Sequence, residues 1–237
     1  MGKSRRALPT GTVTFLFSDI EGSTGLIREL GATAQRLIGR HHELLRTAFD
    51  AAGGVEVRTE GDSFFVAFRS APDAVAAAAS GLRALDAEPW PDGATIRVRI
   101  GLHSGLGALA GDDYGGIDVH RAARIAAVAH GGQVVLSDAT RGLAANDLPE
   151  GVTLRDLGSH RLKDLPDPEH LFQLVIPGLR ADFPAIRSLD AHPHNVDPAH
   201  QLRRTSEGAR RPRAPAGREP AREPYRARRR RQEQPRN

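Results

Sequence analysis

The sequence predicts an α+β domain in which a mixed β-sheet is covered by helices, around a split β-α-β core of the ferredoxin-like type. Over residues 10–177, short segments rich in β-branched and aromatic residues alternate with segments whose apolar residues recur at helical spacing. The glycine pairs Gly53-Gly54 and Gly131-Gly132 each follow a helical segment, a position where helices commonly end. The resulting order, β-α-α-β-β-α-β-(α)-β, contains the split core.

Seven segments have the composition of β-strands. The predicted strands are Val13–Asp19, Val55–Glu60, Ser63–Phe68, Thr95–Gly105, Gln133–Ser137, Val152–His160 and Leu171–Ile176. The second and third of these flank the short turn Glu60-Gly61-Asp62-Ser63, which favours a β-hairpin.

Five segments are predicted to be helices from their apolar spacing and their boundary residues. They are Gly25–Leu30, Ala32–Ala52, Pro72–Leu85, Ile117–Ala129 and Asp138–Ala145. Pro72 suits the first turn of a helix, where a missing backbone N–H costs nothing. Asp138 is predicted to cap the last of these helices.

Two aspartates stand at the ends or turns of otherwise apolar strands. Asp19 follows the apolar run Val13–Phe17, and Asp62 lies in the hairpin turn between two predicted strands. If these strands are neighbours, both carboxylates reach one edge of one sheet. The loop Glu21–Thr24 then leads into a helix N-terminus beside them. Hard oxygen ligands next to a helix N-terminus suit Mg²⁺ or Mn²⁺ carrying a triphosphate.

The charge of the chain is unevenly distributed. Residues 201–237 hold 13 arginines and four acidic residues, a net charge of +9, whereas residues 1–200 carry a net charge of −5. A nucleic-acid-binding domain is expected to carry its basic patch on the folded body. We therefore expect no binding of nucleic acid by this chain except through the arginine-rich tail.

The composition also bounds the organisation and location of the chain. We predict an N-terminal extension (residues 1–9), one folded domain (residues 10–177), and a linker with a disordered Arg/Pro-rich tail (residues 178–237). The chain has no cysteine, which excludes disulfides and cysteine-based metal sites. Without a signal peptide or an apolar run long enough to span a membrane, it is expected to be cytoplasmic.

Five segments, in order, resemble the catalytic domain of the class III nucleotidyl cyclases, the family of adenylate and guanylate cyclases. The similarity covers roughly residues 10–175. The segments are FLFSDIEGST (Phe15–Thr24), TEGDSFFVAF (Thr59–Phe68), IRVRIGLHSG (Ile96–Gly105), DYGGIDVHRAARIAAVAHGGQVVLS (Asp113–Ser137) and LGSHRLKDLPDPEHLFQL (Leu157–Leu174). Similar domains stand at the N-terminus of multidomain bacterial regulators.

The resemblance implies a two-metal site. Asp19 and Asp62 correspond to the metal-binding aspartates of the family, and the backbone carbonyl of Ile20 to a further ligand. Two Mg²⁺ or Mn²⁺ ions per site are implied. The turn formed by Gly22, Ser23 and Thr24 is similar to the one that receives the triphosphate.

The resemblance also implies residues that act on the phosphates and the ribose. Arg124 matches the arginine that stabilises the transition state, and the partner subunit supplies it in a homodimer. Lys163 stands where relatives often have a lysine that contacts the terminal phosphates. His120 occupies the position of the usual ribose-orienting asparagine, which is a departure from the pattern.

The base-recognition position departs from the family as well. Arg58 stands where adenylate cyclases usually have a lysine that contacts adenine, and its usual acidic partner corresponds to Asp113. Arg58 could donate to the adenine ring, or it could pair with Asp113 and obstruct the pocket. The expected activity is formation of 3′,5′-cyclic AMP and pyrophosphate from ATP. The alternatives are a guanylate cyclase, or a weak or inactive cyclase fold acting as a nucleotide-binding or dimerisation regulator.

Overall fold

The structure of the chain, a computed structural model, describes residues 6–91 and 94–190. Within these residues it has the α+β architecture that the sequence predicts, with a mixed sheet covered by helices. Residues 1–5 of the predicted N-terminal extension lie outside the described residues. So does the arginine-rich tail from residue 191 onward.

The elements follow the predicted order, with one addition. The strands are β1 (Gly11–Ile20), β2 (Val55–Glu60), β3 (Ser63–Phe68), β4 (Val98–Ala110), β5 (Asp113–Gly115), β6 (Val134–Ser137), β7 (Thr153–His160) and β8 (Glu169–Val175). The helices are α1 (Ser23–Leu30), α2 (Ala32–Ala51), α3 (Ala71–Ala87), α4 (Ile117–Val128) and α5 (Asp138–Ala144). Of the helices in the described ranges, none has both the length and the hydrophobicity needed to cross a bilayer.

The addition is a hairpin formed by the end of β4 and the short strand β5. The predicted strand stops at Gly105, whereas β4 continues to Ala110 and pairs antiparallel with β5. The turn between them contains Gly111 at a φ of +66°, which glycine adopts without steric cost. The glycine-rich sequence of residues 105–116 lacks strand alternation, so only the pairing itself identifies this hairpin.

Serine side chains cap the starts of two helices. Oγ of Ser70 accepts the backbone N–H of Asp73 at 3.4 Å, and α3 then begins with Ala71 and Pro72. Oγ of Ser137 accepts the N–H of Thr140 at 3.3 Å and caps α5. The prediction that Asp138 caps this helix is wrong by one residue. Asp138 is the first helical residue, where its negative charge favours the helix dipole.

One sheet holds the domain together. Its strand order is β2-β3-β1-β4-β6-β8-β7, and β5 pairs with β4 outside this path. The β4–β6 pair is parallel and the other pairs are antiparallel, so the sheet is mixed. β1 therefore lies between β3 and β4, at the centre of the region that carries both aspartates.

Alternation along the central strands separates two cores. Leu16 of β1, Phe64 of β3 and Ile100 of β4 are buried on the face covered by α2 and α3. Val13 and Phe15 of β1 are buried on the opposite face, against Ala122 of α4. Asp19 has the same parity as Val13 and Phe15, so it lies on the α4 face of the sheet.

α4 packs directly on the backbone of β4. A Cβ added at Gly101 would lie 2.2 Å from the backbone nitrogen of Ala126, and one at Gly105 would lie 2.4 Å from Oδ2 of Asp118. Glycine at both positions lets the helix approach this closely. The close approach fixes the position of α4, the helix that carries His120 and Arg124.

The segment after β8 stays in contact with the domain. Ile186 is buried in a core that also contains Ile125 of α4, and the N–H of Arg187 donates to the carbonyl of Val128 at 3.1 Å. The guanidinium of Arg187 pairs with Glu21, next to the end of β1. The predicted catalytic domain ends at residue 177, whereas the described chain remains packed on it through residues 178–190.

Candidate active site

Asp19 is held at the end of β1 by an arginine on the neighbouring strand. The antiparallel register of β1 and β4 puts Asp19 directly opposite Arg99. Nε and Nη2 of Arg99 donate to the two carboxylate oxygens at 2.5 and 2.6 Å. These hydrogen bonds raise the pKa of Arg99. Both side chains are about one quarter exposed, at 24% for Arg99 and 28% for Asp19, so solvent can reach the pair.

Asp62 reaches the same edge from the β2–β3 hairpin. Its Oδ2 accepts the backbone N–H of Ile20 at 2.8 Å, and Ile20 is the residue that follows Asp19. Gly61 precedes Asp62 at a φ of +59°, a conformation that allows the tight turn. Asp62 therefore reaches the end of β1, where it binds the peptide N–H that directly follows Asp19.

The turn after β1 leaves open space in front of a helix. Gly22 has a φ of +74°, and a Cβ at this position would meet no heavy atom within 4 Å. The carbonyl of Gly22 accepts the N–H groups of Gly25 and Leu26 at 2.9 and 3.1 Å, which starts α1. No side chain caps this helix. The amides of its first turn, including those of Ser23 and Thr24, are therefore available to an anion.

The oxygen atoms at the end of β1 fit a divalent cation that arrives with a nucleotide. The described ranges contain no group of three or more acidic, histidine or cysteine side chains able to hold a metal ion alone. Mg²⁺ bound to a nucleotide needs only one or two carboxylates, since phosphate and water oxygens complete its octahedron. Asp19, Asp62 and the carbonyl of Ile20 form such a partial set, beside the open space at Gly22.

Arg58 and Asp113 form an ion pair across β2 and β5. Nη1 of Arg58 donates to Oδ2 of Asp113 at 2.9 Å, and its Nε lies 3.2 Å from Oε1 of Glu60. The hollow beside Arg58, lined also by Phe17 and Phe65, has a volume of only about 80 Å³. Arg58 is therefore paired with Asp113, as in the second of the two arrangements predicted from the sequence.

The predicted catalytic residues of α4 lie on its accessible side. His120 is exposed, and Nη2 of Arg124 donates to Oδ2 of Asp164 at 2.5 Å. Asp164 has a φ of +62°, in the turn between β7 and β8 that also contains the exposed Lys163. Arg124 and Lys163 thus share one region of the surface, and neither contacts Asp19 or Asp62 within this chain.

Two side chains that bind polar groups of β1 and β4 were not predicted from the sequence. Arg99 is one, because its contact with Asp19 depends on strand register. Asp118 is the other: its Oδ2 accepts the N–H of Leu106 at 2.8 Å, and its Oδ1 pairs with Arg121 at 2.6 Å and with His103 at 3.3 Å. Burial lowers the pKa of His103. The IRVRIGLHSG segment contains Arg99 and His103, but nothing in its spacing identifies their partners.

Comparison with known proteins decides the family. Residues 6–174 match the family described as the adenylate and guanylate cyclase catalytic domain, and this is more than half of the 237-residue chain. The chain belongs to this cyclase family. The cyclase domain is 42% identical, over 196 residues, to an uncharacterized protein of Mycobacterium tuberculosis, and the match covers 82% of this chain and 66% of that protein.

Two further relatives carry the cyclase name. Receptor-type adenylate cyclase B of Leishmania donovani is 34% identical over 214 residues, which cover 71% of this chain and 16% of that protein. A solved adenylate cyclase of Trypanosoma brucei, in its monomeric state, superposes with a TM-score of 0.71 at 27% identity. That match covers 76% of this chain and 95% of the solved chain. The chain spans under two thirds of the length of the mycobacterial and leishmanial relatives that it matches.

Proposed function

We propose that this cyclase domain converts ATP to 3′,5′-cyclic AMP and pyrophosphate at the interface of a homodimer. In this reaction the ribose 3′-oxygen bonds to the α-phosphorus, and the bond from the α-phosphorus to the pyrophosphate oxygen breaks. The observation that carries the proposal is the position of Asp62. Its hydrogen bond to Ile20 at 2.8 Å brings a second carboxylate to the end of β1, beside Asp19 and the open turn at Gly22.

Asp19, Asp62 and the carbonyl of Ile20 would hold two divalent ions, Mg²⁺ or Mn²⁺. Bound divalent ions lower the pKa of the ribose 3′-hydroxyl and offset the charge of the pyrophosphate. Arg99 has to share or release the Asp19 carboxylate when a cation binds, because both oxygens of that carboxylate accept its N–H groups. The exposure of the pair, about one quarter, is consistent with such an exchange.

The triphosphate would lie in front of α1. The amides of Gly22, Ser23 and Thr24 are the donors proposed for it, supported by the positive φ of Gly22 and the uncapped helix start. Lys163, which is exposed in its turn, is proposed to neutralise the terminal phosphates. These contacts orient the α-phosphorus toward the ribose hydroxyl.

Arg124 and His120 are proposed to act on the nucleotide bound to the partner subunit. Arg124 would stabilise the negative charge that develops on the α-phosphate, and His120 would donate to a ribose oxygen. The proposal of a dimer is supported by an apolar surface around the β4–β5 hairpin. Leu106, Leu109 and Ile117 are 65%, 46% and 48% exposed there, next to the start of α4.

The choice of base rests on Arg58 and Asp113. Adenine recognition is supported by the name of the leishmanial relative, a receptor-type adenylate cyclase. The ion pair at 2.9 Å between these two residues also favours a second candidate function. If nucleotide binding leaves the pair closed, the domain would bind phosphates without productive turnover and serve as a regulator of dimerisation. Guanylate cyclase activity is the remaining alternative.

The assay is cyclic nucleotide formation by the purified full chain, followed by chromatography, with ATP or GTP and with Mg²⁺ or Mn²⁺. We expect the wild type to form cyclic AMP, and Asp19→Asn and Asp62→Asn should each reduce its rate by about 100-fold or more. Asp147→Asn, an exposed aspartate after α5, is the matched control and should retain full activity. Nucleotide binding without any product in the wild type would support the regulator function instead.

A further inference from the structure

A cleft on the α3 side of the sheet takes no part in the proposed reaction. It lies between the end of α3, the start of β4 and the loop before β6, and its volume is about 330 Å³. Pockets that bind small organic molecules have volumes of roughly 300–1,000 Å³. The cleft is therefore large enough for a ligand of modest size.

The inner wall of the cleft is apolar. Its side chains are Leu82, Leu85, Trp90, Ile96, Val98 and Leu179. The indole N–H of Trp90 donates to the carbonyl of Leu85 at 3.0 Å, which satisfies its polar group and fixes the ring. Trp90 is also the single tryptophan of the chain. A flat hydrocarbon body can pack on this wall without leaving a buried polar group unpaired.

The charged residues of the lining are Arg97, Arg180 and Asp86, and Thr95, Gly131 and Gly132 complete it. Within the described part of the chain, the guanidinium groups of Arg97 and Arg180 contact no carboxylate, so both can accept an anionic partner. Nε of Arg180 donates to the carbonyl of Asp182 at 2.8 Å, and its guanidinium lies 4.7 Å from the centre of the Phe183 ring. With Asp86, the lining carries a net charge of +1.

We propose that this cleft binds a small organic monoanion, a carboxylate attached to an aromatic or branched aliphatic body. A single carboxylate matches the net charge of the lining and can accept paired N–H groups from an arginine. The hydrocarbon part packs on Trp90 and the leucines. A polyphosphate does not match this cleft, because its charge exceeds that of the lining and most of the wall is apolar.

Trp90 allows the site to be tested without a label and without cyclase activity. The probe is 3-phenylpropionate, whose ring does not absorb at the red edge of tryptophan excitation, titrated into the full chain. The expected result is a saturable change in Trp90 fluorescence. The neutral amide, 3-phenylpropionamide, should bind about tenfold more weakly, since it lacks the charge-assisted hydrogen bonds.

Variants identify the arginines that are responsible. Arg97→Gln and Arg180→Gln should each weaken binding of 3-phenylpropionate by about tenfold while the amide binds unchanged. Arg83→Gln is the matched control, since Arg83 lies on α3 but not in the cleft lining. Thermal melting of each variant checks that the fold is retained.

Three results would each overturn the proposal. The first is the absence of both a fluorescence change and a saturation-transfer NMR signal with the wild-type chain. The second is equal affinity for the acid and the amide, and the third is unchanged affinity for the acid in both arginine variants. Because binding is measured without nucleotide, these outcomes are independent of the outcome of the cyclase assay.

Discussion

Gly101 lies where α4 crosses β4, and alanine at this position should displace the helix. The new Cβ would lie 2.2 Å from the backbone nitrogen and 2.6 Å from the Cα of Ala126. Both are main-chain atoms, so no side chain can rotate to relieve the contact. Restoring an ordinary contact of 3.4 Å requires α4 to move by about 1.2 Å.

The cost follows from overpacking a buried interface. Such substitutions destabilise by ~1–3 kcal/mol, and a clash with main chain belongs at the upper end of that range. For a domain of this size, ~3 kcal/mol lowers Tm by about 6–12 °C. Arg124 lies two residues before Ala126 on the same helix, so the same displacement should reduce cyclase activity.

The assay is thermal unfolding followed by circular dichroism, with cyclic AMP formation as the second measurement. Gly39→Ala is the matched control. Gly39 lies within α2 with no heavy atom within 4 Å of an added Cβ, so alanine should stabilise the protein by ~0.5–1 kcal/mol. A melting temperature of Gly101→Ala equal to that of the wild type would refute the proposed contact between α4 and β4.

Three further predictions concern individual side chains. Arg58→Lys should raise the rate with ATP relative to GTP, because a shorter cation opens the contact with Asp113; an unchanged ratio of the two rates would contradict this. Arg99→Gln should lower the Mn²⁺ concentration needed for half-maximal binding, measured by electron paramagnetic resonance, because Asp19 loses a competing partner; a higher concentration is the contrary result. Burial, together with the neighbouring His42, lowers the pKa of His41 to about 4. Below pH 6.5 the unfolded chain therefore binds a proton that the folded chain does not. The free energy of unfolding should fall by ~3 kcal/mol between pH 6.5 and 4, and His41→Leu should remove that part of the pH dependence in thermal melts.

The predicted elements that the structure contains are those with a strong local signal. Val13–Asp19 and the hairpin Val55–Phe68 combine β-branched and aromatic residues with a glycine turn, and both are strands. β5 could not be predicted from the sequence, because Asp113–Gly115 is a strand only through its pairing with β4. Residues 178–190 likewise have no periodicity, and isolated contacts such as those of Ile186 keep them on the domain.

The candidate site was also predictable only where the sequence has a local signal. Gly61 and Gly22 indicate tight turns, so the positions of Asp62 and of the open turn before α1 could be predicted. The contact between Arg99 and Asp19 could not, because it depends on the antiparallel register of two strands 80 residues apart. The pairing of Arg58 with Asp113 depends in turn on the unpredicted strand β5.

The most direct test concerns the pair of carboxylates at the end of β1. Binding of Mn²⁺ together with a non-hydrolysable ATP analogue can be followed by electron paramagnetic resonance in the wild type, Asp19→Asn, Asp62→Asn and the control Asp147→Asn. We expect nucleotide-dependent Mn²⁺ binding in the wild type and the control, and binding weakened at least about tenfold in the other two variants. Unchanged affinity in Asp19→Asn or Asp62→Asn would contradict it.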